Sequence, residues 1–196
     1  MSVRLLKRRF TVEEYERMGQ AGILSEDDRV ELIEGEIIEM PPIGPPHSAV
    51  ASRLNAIFAA AVGTRAIVRV ADPVRLGAHS MPQPDVVLAK PREDYYASGH
   101  PQPEDVLLVV EVADTSLEYD RQVKVPLCAR AGIREVWLVA LPHEEVEVFR
   151  APSAGIYRSD VMMARGDMLS VEALPGINLA VDQILGGSPS RPATSP

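Results

Sequence analysis

The sequence predicts an α/β domain in which a mixed sheet is flanked by helices. Three features carry that expectation. VLLVVEV, residues 106–112, is a continuous apolar run of the kind found in a strand covered on both faces near the middle of a sheet. Apolar residues spaced by three and four recur before it, over 47–62, and after it, over 116–131. Two further β-rich runs follow the second helix directly, and a helix between strands implies a parallel step.

In chain order, Thr11 followed by Glu14 is a capping box, so TVEEYERMGQAG reads as a short helix closed by Gly19 or Gly22. Val30 to Ile33 and Glu36 to Met40 read as strands around Glu34-Gly35, a glycine-containing hairpin signal. Pro41, Pro42, Pro45 and Pro46 end that unit. Val50, Leu54, Ile57, Phe58 and Ala61 then form one face of an amphipathic helix. Short β-rich runs are expected at 66–70 and 74–76, and PQPDVVLAK opens another strand, with proline where a missing N–H is tolerated. Residues 91–105 form a polar loop before the central strand. Leu117, Tyr119, Val123, Leu127 and Ala131 mark the second helix, which Gly132 stops and which Pro126 is expected to kink or shift in register. Residues 135–140 and 144–150 read as neighbouring strands about Pro142-His143. Short strands and turns follow, then a last helical turn at 181–185. From Gly186 onward the chain is Gly, Ser, Pro, Arg, Ala and Thr, too poor in apolar surface to order itself. The expected organisation is a single domain over 1–186 with a disordered tail over 187–196.

Bulk properties bound the function. With 196 residues, 46% hydrophobic and 24% charged, the chain should bury roughly 70% of its unfolded surface and needs no disulfide or structural metal. Cys128 is the only cysteine, which excludes an internal disulfide and a cysteine zinc cage. Lys7, Arg8 and Arg9 are followed by no apolar segment of signal-peptide type, and the longest apolar run is too short to span a bilayer, so a cytoplasmic protein is expected. A net charge of −8 argues against a histone-like coat on nucleic acid but leaves a nuclease open, because metal-binding carboxylates themselves add negative charge.

The strongest chemical anomaly is Glu111, a carboxylate inside the central apolar strand. Such a charge costs several kcal/mol unless a cation or hydrogen bonds compensate it. Either Glu111 lies at the strand end, facing solvent or an arginine, or it shares a cation with a second acid. Asp85 opens the strand DVVLA, and pairing of the two strands would let both acids converge on one sheet edge. A hard divalent ion such as Mg²⁺ is commonly held by one or two carboxylates, with phosphate and water completing its shell. Ala113 stands where a Glu-x-Lys arrangement would place lysine; Lys124, on the following helix, is the available ammonium. It reads either as a stabiliser of transition-state charge or as the partner of Asp120 in a surface helical ion pair. Glu34 reads as a solvated turn residue. His47 reads as a phosphate- or carboxylate-binding group or as an N-terminal cap. His79, His100 and His143 read as surface residues, and Cys128 and Trp137 as core.

The succession VELIEGEIIEM, PQPDVVLAK, LVVEVADTSLEYDRQVKVPLCARAGIREVWLV and RGDMLSVEALPGINLAVDQIL resembles the Uma-two-type restriction endonuclease family of the PD-(D/E)XK nuclease superfamily. The resemblance runs from about Thr11 to Leu185. It implies a restriction-endonuclease-like fold in which Pro84-Asp85 is the PD element, Glu111 the second acid and Lys124 a lysine moved from the strand to the next helix. It also implies an N-terminal acid near the metal, the position that Glu31 matches. Gln122 and Cys128 depart from the glycine and tyrosine frequent at those places, which touches neither the ligands nor the lysine. The implied activity is Mg²⁺- or Mn²⁺-dependent hydrolysis of DNA phosphodiesters by a homodimer, with Asp85 and Glu111 on the metal. The rival is a non-catalytic nuclease-fold module for DNA binding or protein interaction.

Overall fold

The computed structural model describes residues 7–25 and 27–187, so most of the expected C-terminal tail lies outside the described residues. Its centre is a six-stranded sheet in the order β3-β4-β5-β6-β7-β8. The chain enters through α1 (Val12–Gln20), capped as its sequence requires by the reciprocal Thr11 and Glu14 bonds. Strands β1 (Val30–Ile33) and β2 (Glu36–Glu39) form a separate antiparallel hairpin. Its turn residues Glu34 and Gly35 both have positive φ, the conformation that a two-residue hairpin loop demands. Helix α2 (Pro45–Val62) follows, then β3 (Ile67–Val70), β4 (Val86–Ala89) and β5 (Val106–Ala113), which pair antiparallel in turn.

Residues 74–76 correct the sequence reading. They form no strand: Val74 N–H donates to Pro82 O and Leu76 N–H to Ser80 O in a local return. Pro73, Gly77 and Pro82 interrupt the regular ladder there, yet Val74 and Leu76 still enter the core.

Between β5 and β6 (Glu135–Ala140) runs the crossing helix that makes their pairing parallel. It is built of α3 (Leu117–Tyr119), a π turn (Asp120–Lys124) and α4 (Val125–Ala131). Pro126 shifts the register as expected. It has no N–H to give the preceding turn, and the Val125 N–H instead donates to Asp120 O in an i→i+5 bond. Gly132 ends the helix in the left-handed conformation. Strands β7 (Glu145–Ser153) and β8 (Ile156–Ala164) form a hairpin, longer than the short strands expected there, about Ala154 and Gly155 with positive φ. Strands β9 (Met168–Ser170) and β10 (Asn178–Ala180) pair with each other, and α5 (Val181–Leu185) follows.

Alternation along β5 sorts its side chains onto two cores. Leu108, Val110 and Val112 face Leu54 and Phe58 of α2 together with Trp137, Leu169 and Ile184. Val109 and Ala113 face Leu117, Val125, Leu127 and Cys128 of the crossing helix. Glu111 belongs by period two to that second face, under the crossing helix. Among the described residues no helix is long and apolar enough to cross a membrane.

Candidate active site

Antiparallel pairing of β4 with β5 sets Val86 opposite Val110, and continuing that register by one step puts Asp85 beside Glu111 on one face. Both acids stand where the strands meet a cleft of about 490 Å³, lined also by Glu31, His47, Asp120 and Lys124. Each arrives from a different element: Glu31 from β1, His47 from the first turn of α2, Asp120 and Lys124 from the π turn. The turn directs Asp120 and Lys124 inward, leaving them 4% and 8% exposed, while its third charged residue, Arg121, turns away to Glu147 and Glu118.

Lys124 is the hub. Its Nζ lies 3.3 Å from Glu31 Oε2, 3.5 Å from Glu111 Oε1 and 3.9 Å from Asp120 Oδ1. The surface-pair reading of Lys124 is therefore overturned: Asp120 is a neighbour, but both residues are buried in the cleft wall. Burial alone would lower the Lys124 pKa, but Glu111, Glu31 and Asp120 together more than offset it and hold the ammonium above its usual range. Glu111 shows the opposite balance. Burial raises its pKa well above the ordinary value, Lys124 opposes, and Asp120, Asp85 and Glu31 add to the rise. Asp120 is raised too, by burial first, against the pull of Lys124 and of the Ser116 hydroxyl that donates to it at 2.6 Å.

Asp85 is held from two sides. Val112 N–H donates to its Oδ2 at 2.7 Å, and His47 Nε2 lies 3.0 Å from its Oδ1. That bond raises the His47 pKa against the opposing effect of burial. His47 is not a cap: Gly44 is the N-cap of α2, and Pro45 and Pro46 precede the histidine in the first turn. Glu31 accepts from Gln83 N–H at 3.2 Å.

The other candidates separate cleanly. Glu34 is an exposed turn residue paired with Arg130. His79 and His143 are exposed, but His100 is half-buried, because 100–102 pack against the loop carrying Arg75, whose N–H donates to Pro101 O. Cys128 is buried, its thiol pushed up to about 12 by its surroundings, burial above all. Trp137 is fully buried. Asp120, Ser116 and Tyr119 were not read as site residues from the sequence. For Asp120 a signal existed: an acid four residues before a lysine shares its helix face, so a lysine that turns inward takes the acid with it. Nothing in the sequence marks Ser116 or Tyr119.

The acids of the cleft offer only oxygen donors and the one imidazole, His47, is turned to Asp85, which suits a hard divalent ion such as Mg²⁺ rather than zinc or copper. Among the described residues no group of three or more His, Cys, Asp or Glu side chains stands ready as a metal cage. The carboxylates have partners within the protein: Asp85 accepts from Val112 N–H and faces His47, Glu31 accepts from Gln83 N–H and pairs with Lys124, and Asp120 accepts from the Ser116 hydroxyl. Asp85 and Glu111 as an adjacent pair still fit the usual mode for Mg²⁺, in which one or two carboxylates suffice and substrate phosphate and water supply the rest.

Comparison with known proteins agrees with the architecture. A solved structure described as a putative nuclease belonging to DUF820 from Anabaena variabilis shares the fold at a TM-score of 0.70, with 19% identity, over 90% of this chain and 97% of that one. No curated protein matches the chain. The Uma2 family profile, described as "Putative restriction endonuclease", matches residues 12–182. With that match covering most of its length, the chain belongs to the Uma2 family.

Proposed function

We propose that the chain hydrolyses phosphodiester bonds in DNA, with Mg²⁺ or Mn²⁺ held by Asp85 and Glu111. One observation carries this reading: Asp85, Glu111, Glu31 and Asp120 converge on one open cleft whose only buried ammonium, among the described residues, is Lys124. Such an excess of negative charge calls for a further cation. A divalent ion bound there would polarise the phosphoryl group and lower the pKa of bound water. The remaining work falls to the chain's own side chains. Lys124, pinned by carboxylates, presents its ammonium to orient the nucleophilic water and to offset charge on the phosphoryl oxygens as the leaving oxygen departs. Glu31, fixed by Gln83 N–H, positions Lys124 from the β1 side and supports the metal site directly or through water. His47 holds the Asp85 carboxylate in place. Cutting both strands of a duplex takes two such sites, so the assembly we propose is a two-fold homodimer in the cytoplasm.

The test is cleavage of plasmid and single-stranded DNA by the full chain. Nicking is expected with Mg²⁺ or Mn²⁺, none with EDTA, and a loss of about 10²-fold or more in Asp85→Asn, whose amide keeps an oxygen for the Val112 N–H. An intact wild-type chain that cuts neither substrate with either metal refutes the catalytic reading and leaves a non-catalytic nuclease-fold module.

A further inference from the structure

β8 is one of the two edge strands of the six-stranded sheet. β8 pairs with β7 alone, and among the described residues no other backbone group bonds to the segment from Ile156 to Met163. It therefore presents a free edge of nine residues. Such an edge is a template for another strand unless proline, uncompensated charges (lysine above all), bulges or a covering segment block it. β8 contains neither proline nor lysine, and its pairing with β7 carries Ile156, Val161 and Met162 with about half of each side chain exposed, at 51%, 48% and 50%.

The order of side chains along this edge says which partner it fits. Ser159 stands between Arg158 and Asp160, opposite charges on one face, and neither forms an ion pair within the chain among the described residues. An antiparallel partner of identical sequence, related by a two-fold axis at Ser159, sets Arg158 opposite the second copy's Asp160 and Asp160 opposite its Arg158. The same register sets Tyr157 opposite Val161 and Ile156 opposite Met162, apolar against apolar. A slip by one residue places Arg158 against Ser159 or Val161 and loses both charge pairs. Like charges at these places would forbid the contact; this arrangement permits it in one register.

We propose that the β8 edge is the homodimer interface, two copies joining antiparallel about Ser159 into one continuous twelve-stranded sheet. The occupant is a second copy rather than an unrelated strand because the charge and apolar pattern is complementary to itself under two-fold symmetry. β6 and β7 separate β8 from β5, so both clefts stay open to substrate. The interface depends on the homodimer of the reading above but not on its chemistry, and it stands even for an inactive cleft.

The experiment is sedimentation velocity on the full chain over about a hundredfold range of concentration, with circular dichroism to confirm folding. The wild type is expected to dimerise. Arg158→Asp alone and Asp160→Arg alone each place two like-charge pairs across the axis, and each is expected to sediment as a monomer. An equimolar mixture of these two variants restores both opposite-charge pairs and is expected to form heterodimers. A monomeric wild type overturns the proposal. So does a wild-type dimer that both variants retain, which would place the interface elsewhere, and so does a mixture no more associated than its components. DNA cleavage is not read, so failure here leaves the catalytic proposal untouched, and the reverse holds.

Discussion

Lys124→Met is expected to lower DNA cleavage by about 10²-fold or more and to destabilise the metal-free protein at the same time. The two effects share one cause. Among the described residues, Lys124 is the only ammonium within reach of Glu31, Glu111 and Asp120, all of them 4% exposed or less. Removing it leaves buried carboxylates without their cation, a loss of about 3–5 kcal/mol for a broken buried pair. Proton uptake relieves part of that cost, since the Glu111 and Asp120 pKa values are already displaced upward. A divalent ion supplies positive charge to the same cluster, so Mn²⁺ should raise the melting temperature of Lys124→Met by more than that of the parent. Thermal melts with EDTA and with Mn²⁺, beside cleavage rates at saturating metal, check both halves. Wild-type rates in a destabilised variant would reduce Lys124 to a structural counter-ion.

Glu111→Gln should do the reverse: abolish cleavage while leaving the metal-free protein as stable as the parent or more so. Lys124 keeps Glu31 and Asp120 after the change, so no cation is stranded, and one member of a repelling group of acids is gone. The pH dependence gives the sign. The folded-state pKa of Glu111 lies well above the ordinary 4.5, so between those two values the folded protein binds the proton that the unfolded chain has released. Stability therefore falls as pH rises through that window, and the penalty is fully present above it. Glu111→Gln should flatten that fall. A variant less stable than the parent at neutral pH, with the slope unchanged, would mean that Glu111 serves chiefly as the partner of Lys124.

Much of the fold was legible because two periodicities and a few punctuating residues decided it. VLLVVEV announced a strand buried on both faces, the 47–62 spacing gave α2, and Gly132 ended the crossing helix as its left-handed conformation requires. The segment 74–76 was misread because β propensity is local, whereas a strand needs a partner that the flanking Pro73, Gly77 and Pro82 deny it. At the site, Glu111 stood out on burial cost alone, and Asp85 followed from strand pairing. Lys124 was indicated only by the family resemblance, since spacing alone favours the surface pair with Asp120. Only the inward π turn, forced where Pro126 breaks the ladder, places that lysine among the acids. The approach of His47 to Asp85 depends on where α2 begins relative to β4, a tertiary distance that no local pattern encodes.

The central claim is that Asp85 and Glu111 hold one divalent ion between them, and calorimetric titration of Mn²⁺ into the metal-free chain tests it most directly. Saturable binding of one ion per chain is expected for the parent, lost in both Asp85→Asn and Glu111→Gln although both remain folded. Binding of equal strength in the parent and in both variants would contradict it.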